Sequence, residues 1–143
     1  MADIYLDFPI KAPVNQVYAA VSTPQGLDAW WTKRSSGEPV EGADFTLWFG
    51  PEYDWRARVT SAVFPSTFEL QMTEADPDWL GTRVGFRFEA RAAMTQVRFY
   101  HTGWPEANEH YRTSCHCWAL YLRILRRHLE FGETVPYDRR LAV

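Results

Sequence analysis

Cysteine is scarce in this chain, with two among 143 residues, Cys115 and Cys117. They lie two apart in a stretch with helical periodicity, so their side chains point to nearly opposite sides. That spacing excludes a mutual disulfide and splits a zinc-binding pair. Cys115 reads as a small buried residue. The four histidines, His101, His110, His116 and His128, include no His-Glu-x-x-His, and His110 and His116 are six apart. No metal site and no cofactor are expected. No Gly-Lys-Ser/Thr follows the Gly-containing stretch Ser35–Gly42, which removes a nucleotide loop. Excess positive charge is missing too: the net charge is −3, so neither nucleic acid nor an anionic membrane is an expected partner. No apolar run is long enough to span a bilayer. No basic region precedes Asp3 and Asp7 to make a signal peptide. A cytoplasmic location is therefore expected.

Aromatic residues are abundant, at 16% with seven Trp. Bulky rings either fill a core or line a pocket for an apolar ligand. The chain is long enough for one domain with a real core, expected over residues 1–132, followed by a polar, loosely held tail over 133–143.

The longest uninterrupted pattern runs from Glu106 to Phe131. Tyr111, Cys115, Trp118, Leu122, Leu125 and Leu129 recur at steps of three and four, which places them on one helix face. Pro105 suits the helix start and Gly132 its end. Arg123, Arg126 and Arg127 form a basic side that reads as a solvated face. Upstream, Ile4, Leu6, Phe8 and Ile10 alternate as a half-buried strand. Short helices follow over 13–22 and from Pro24, capped by Thr23, to Trp30-Trp31. Alternation then predicts strands over 44–49, 53–63, 68–72, 84–91 and around 97–101. Short spacings favour antiparallel meander connections. The fold class is α+β: a curved antiparallel sheet of about six or seven strands wrapped around a long C-terminal helix, with two short helices after strand 1.

Three stretches carry a family likeness. They are Phe8-Pro9-Ile10-Lys11-Ala12-Pro13-Val14 with Val17-Tyr18, Thr23-Pro24 followed by Trp30-Trp31, and His101-Thr102-Gly103-Trp104. The helix bearing Trp118, Leu122 and Leu125 continues it. Over residues 3–132 the chain resembles the START-like, helix-grip superfamily of the birch pollen allergen. Within it, the chain resembles proteins related to the C-terminal domain of the activator of the Hsp90 ATPase. The resemblance implies a cavity between sheet and helix. It also implies a range of functions: binders, lipid carriers, cyclases and chaperone activators. True activators carry a further N-terminal domain, whereas this chain opens directly on the first strand, so the shared part is the module.

The inward phase of the strands and the helix face name the expected ligand-binding residues. From the strands come Phe45, Trp55, Phe68, Met72, Phe86, Phe88, Phe99 and His101. Trp31, Tyr111, Cys115 and Trp118 join them. Trp30 and Trp31 are expected to be one core ring and one rim ring. His101 is either a ligand contact or general base, or a core histidine bonded to a backbone carbonyl. Glu69 and Glu89 fall on the outward phase, so no carboxylate partner is assigned. The first function expected is non-catalytic binding of a small apolar or aromatic molecule. A cyclase or hydrolase-like enzyme on an aromatic or polyketide-type substrate is the second, with His101 as base and Tyr111 as oxyanion donor. A chaperone-interaction module is the third. A second copy of the chain stays open as a partner, with Trp48 and Tyr100 as the exposed aromatics that would meet it.

Overall fold

The computed structural model describes every residue from Met1 to Val143. Strand β1 (Ala2–Ile10) buries Ile4 and Ile10 and exposes Tyr5, Asp7 and Pro9. Helix α1 (Val14–Ser22) and the single-turn α2 (Pro24–Asp28) follow. Thr23 separates the helices: its Oγ1 accepts from Gly26 N at 3.1 Å, and Pro24 takes the first helical position, where no N–H is needed. Gly26 is required by close approach, because a Cβ there would lie 2.6 Å from Ala19 O and Ala20 Cα. Six strands come next: β2 (Arg34–Ser36), β3 (Asp44–Trp48), β4 (Asp54–Val63), β5 (Thr67–Glu74), β6 (Arg83–Arg91) and β7 (Met94–Trp104). They form one sheet in the order β1-β7-β6-β5-β4-β3-β2, and the paired strands are antiparallel. The helices after β1 thus carry the chain from one sheet edge to the other.

Helix α3 (Glu109–Phe131) packs on the buried face of the sheet, with Trp118 against Phe99 at 4.6 Å between ring centroids. It begins three residues later than Glu106. The strand before it runs to Trp104, and Asn108 supplies the cap, its side chain accepting from Tyr111 N at 3.0 Å. Gly132 ends the helix at φ 69°, the left-handed turn that favours glycine. The fold is the expected α+β helix-grip with seven strands. Strand β2 is an addition: Ser35-Ser36-Gly37 has turn composition, yet it pairs with β3 as a short edge.

The buried apolar residues form one cluster that includes Phe45, Phe68, Phe86, Phe99 and Trp118. On the outer face, the aromatics expected as a dimer patch are engaged within the chain. Trp48 lies under the Arg34 guanidinium at 4.4 Å. Tyr100 donates to Glu69, which also takes Thr60 and Arg83.

The C-terminal segment departs from a loosely held tail. Tyr137–Ala142 forms a 3-10 helix docked on the domain. Arg140 is 5% exposed. It donates to the carbonyls of Asp28 at 2.7 Å, Thr32 at 3.1 Å and Val135 at 3.2 Å. Tyr137 donates to Phe49 O at 3.1 Å. The composition of the tail is polar, but its arginine finds carbonyls left over at the end of α2. Arg140→Met removes these donors and leaves buried carbonyls unpaired. The expected loss is about 1–3 kcal/mol in a urea titration, and Arg140→Lys restores only part of it.

Candidate functional site

The expected lining divides into two groups. Phe45, Phe68, Met72, Phe86, Phe88, Phe99, His101 and Trp118 are all buried, at 0–8% exposure, and pack ring against ring between sheet and helix. Phe45–Phe68 centroids are 6.0 Å apart and Phe86–Phe99 5.3 Å. These residues are core. Trp31 and Trp55 instead reach a cavity of 320 Å³ at one end of the interface. Trp30 and Trp31 are both buried, at 0% and 3% exposure, so neither is a rim ring, and Trp31 adds one edge to the cavity wall.

His101 shows why the middle of the interface is closed. An indole N–H can only donate, and Trp118 Nε1 donates to His101 Nδ1 at 3.0 Å. The imidazole hydrogen therefore sits on Nε2, which donates to Thr82 Oγ1 at 2.8 Å. The Thr82 hydroxyl passes its own hydrogen to Trp79 O at 2.6 Å. Both ring nitrogens are engaged, so no lone pair is left for a substrate proton. The general-base role is thereby removed. The carbonyl of the core-histidine reading is met only through Thr82. Burial, followed by the nearby His110 charge, pushes the His101 pKa down to about 3.

Tyr111 and Cys115 also stand elsewhere. Tyr111 donates to Asp3 O at 2.7 Å, tying α3 to β1, which takes its hydroxyl away from any oxyanion. Cys115 is half-buried rather than buried, on the β1 side of the helix.

The pocket is built largely from residues outside the alternating pattern. Its sheet side is a chain of rings: Trp31–Phe49 at 5.5 Å, Phe49–Trp55 at 5.5 Å, Tyr53–Trp55 at 6.0 Å and Trp55–Trp79 at 5.0 Å. Trp79 stacks on Trp118 behind it, with centroids 5.9 Å apart and planes inclined by 23°. From α3 come His110, Thr113, Ser114, Cys117 and Tyr121, and from the tail Tyr137 and Leu141. Asp76 supplies the carboxylate of the lining. His110 Nδ1 lies 3.1 Å from Asp78 Oδ2. Burial raises the Tyr121 pKa to about 12 and also raises that of Tyr137, so both phenols are protonated donors at neutral pH. Trp79 Nε1 is buried without a hydrogen-bond partner, an arrangement that disfavours the folded state by about 1–3 kcal/mol until something accepts from it.

Sequence reasoning missed this lining for a physical reason. Tyr53 follows the Gly50-Pro51 turn, Trp79 sits in the loop over 75–82, and Tyr137 belongs to the tail. One signal was present: His110, Ser114, Cys117 and Tyr121 recur at steps of three and four, a second helix stripe beside the one through Trp118.

Three larger depressions are surface features: a polar hollow of 390 Å³ around Thr46 and Arg56, and two more. One, of 590 Å³, lies on the outer face of the sheet around Arg98 and Tyr100, where Arg98 pairs with Asp7 at 2.9 Å. The other, of 520 Å³, is a groove between β1 and α3. No helix is long and apolar enough to cross a membrane.

The closed chain through His101 predicts a pH dependence. The unfolded residue takes a proton near pH 6.5 and the folded one near 3. Between these values the unfolded state holds more protons, so stability rises with pH. The contribution is complete above 6.5 and is lost as pH falls toward 3. Denaturant titrations at pH 7 and pH 4.5 should differ by roughly 2–3 kcal/mol through this residue. His101→Gln should flatten that part of the profile, and the imidazole NMR signals should not titrate above pH 4.5.

Comparison with known proteins agrees with the architecture. The model of the family described as activator of Hsp90 ATPase homolog 1-like protein matches residues 11–130. No curated protein matches the chain. Among solved structures, the Aha1 dimer from Colwellia psychrerythraea is similar at 31% identity and a TM-score of 0.84, over 93% of this chain and 99% of that one. A protein from Staphylococcus saprophyticus shares the fold at 18% identity and a TM-score of 0.78, over 94% and 96% of the two chains. CalU16 from Micromonospora echinospora does so at 18% identity and 0.76, over 98% and 81%. With its helix-grip fold and a family match running from before α1 almost to the end of α3, the chain belongs to the activator of Hsp90 ATPase homolog 1-like family.

Proposed function

We propose that this protein is a non-catalytic module that binds a small apolar or aromatic molecule at the open end of the helix–sheet interface. The observation that carries this reading is the aromatic-walled pocket itself, lined by Trp31, Phe49, Tyr53, Trp55 and Trp79 on one side and by α3 and the C-terminal segment on the other. Its 320 Å³ falls at the small end of ligand sites. Polar points are few, as such sites require: the Tyr121 hydroxyl, Ser114, His110 and Asp76.

A second reading, turnover of an aromatic substrate, rests on one specific pair. His101 is closed, so a base would have to be His110, held by Asp78 in the pocket wall. His110→Gln separates the two. A binder keeps its ligand with altered affinity, whereas an enzyme loses at least roughly a hundredfold in rate. For the chaperone-interaction reading, the basic helix side offers little. Arg126 pairs with Glu130 at 3.4 Å, and Arg127 with Glu133 at 2.6 Å. As for assembly, the Colwellia relative is a dimer. A homodimer of this chain is part of the proposal and is read out by light scattering.

The binding reading is tested by a thermal-shift screen of small aromatic compounds on the wild type and on Thr113→Trp. Thr113 is exposed on α3 and lines the pocket, so the larger ring plugs the mouth without disturbing the core. A ligand at a hundred times its dissociation constant adds about 2.7 kcal/mol to the wild type. Thr113→Trp should keep its unliganded melting temperature and lose this response. An equal response in both proteins, or none in the wild type, overturns the proposal.

A further inference from the structure

We infer that the pocket selects an organic cation, a quaternary or protonated amine carrying an aromatic or alkyl group, with Asp76 as its counter-ion. This rests on the reading of the pocket as a binding site and adds the charge of the ligand.

Three observations carry it. First, seven of the thirteen lining residues are aromatic, and three of these are tryptophan. Aromatic faces are negative at their centres, and tryptophan is the strongest partner for a cation. Trp31, Trp55 and Trp79 stand on the sheet side and Tyr121 on the helix side, whereas the Tyr137 ring already carries Arg140 and Lys33 at 5.3 and 5.8 Å from its centroid. A positive group placed among them meets rings from several directions, the arrangement that recognises quaternary ammonium groups.

Second, the fixed charge of the lining is negative. Asp76 is half-buried and makes no salt bridge within 4 Å, and no Lys or Arg lines the pocket. His110 is matched by Asp78 at 3.1 Å whichever state the imidazole takes. Arg140 lies behind Tyr137, 5.3 Å from the ring centroid, and gives its N–H groups to backbone carbonyls.

Third, filling the mouth removes water from Asp76. A neutral aromatic would leave that carboxylate desolvated and unpaired. An anion would add repulsion to the same loss. A cation replaces the lost water with a charge partner and uses the ring faces at once.

The test uses three probes of closely similar size: benzyltrimethylammonium, its neutral isostere neopentylbenzene, and the anion phenylacetate. Affinity is read by thermal shift and calorimetry, and position by NMR of the N-methyl protons. The cation should bind roughly tenfold or more tighter than the isostere, and phenylacetate should not bind. The N-methyl signals should move upfield on the full-length protein, as expected over aromatic faces, and should not move with Thr113→Trp. Asp76→Asn should remove most of the preference for the cation, weakening benzyltrimethylammonium and strengthening neopentylbenzene, whose binding no longer strips water from a carboxylate. If the isostere binds as tightly as the cation, the inference is overturned while the binding reading survives. An unchanged preference in Asp76→Asn overturns the assignment of Asp76. If no probe binds and the screen of aromatic compounds is also silent, the binding reading itself fails.

Discussion

A buried imidazole with no solvent beside it must satisfy both nitrogens within the protein. His101 does so with partners from two other parts of the fold: an indole on α3 and a hydroxyl at the start of β6, which in turn holds the carbonyl of Trp79. One hydrogen-bond chain therefore joins strand, helix and the loop between β5 and β6. The tautomer is dictated by Trp118, which can only donate. Protonation would set two donors against each other, and burial acts in the same direction. The chain fixes the azimuth of α3 on the sheet, because turning the helix about its axis would withdraw the Trp118 nitrogen. It also fixes the two stacked tryptophans that close the inner end of the pocket. His101 thus holds the rings of the pocket wall in place without lining the pocket itself.

The same aromatic richness serves two ends that differ by the stripe of the helix they face. In the middle of the interface Phe99 meets Trp118, and Phe45 with Phe68 and Phe86 with Phe99 fill the space beside them. Large rings on both sides leave no room for a guest, and each buried side chain adds roughly 1.5–3 kcal/mol. At the end bearing the β3–β4 turn, the helix side offers Ser114 and Cys117 in place of large residues, and the space opens. The pocket lies over a second stripe of α3 beside Trp118, where Ser114 and Cys117 are small, and is roofed by the 3-10 helix that Arg140 and Tyr137 hold in place.

The regular part of this architecture was legible in the sequence. Period-two alternation marked β1 and β3–β7, and steps of three and four marked α3, because each element has one wet and one dry face. Depth was less legible. Alternation states that Phe68 and His101 point inward but not whether the inward space is filled. A cavity was therefore expected where the structure has a core. Strand β2 escaped because Ser35-Ser36-Gly37 has the composition of a turn, and only its pairing with β3 makes it a strand. The docked tail escaped because an arginine in a polar segment reads as solvated. Its burial depends on the carbonyls of Asp28 and Thr32, which are over a hundred residues away. Pocket residues such as Tyr53, Trp79 and Tyr137 come from a turn, a loop and a tail. They share no period, and only the folded chain brings them together.

Placing the site at the end of the interface has a consequence for how binding would act. The walls are one strand turn, one loop, one helix stripe and the C-terminal segment. The first three are tied through His101 and the core. The fourth is held by Arg140 to the end of α2 and by Tyr137 to Phe49 O. A guest against Tyr137 and Leu141 would therefore add contacts to the one wall that is attached only at its edges. Its binding energy would be shared between occupying the pocket and holding the tail closed. A ligand on this protein should thus stabilise the C-terminal segment more than the sheet. The difference is local and follows from which wall has the fewest tethers of its own.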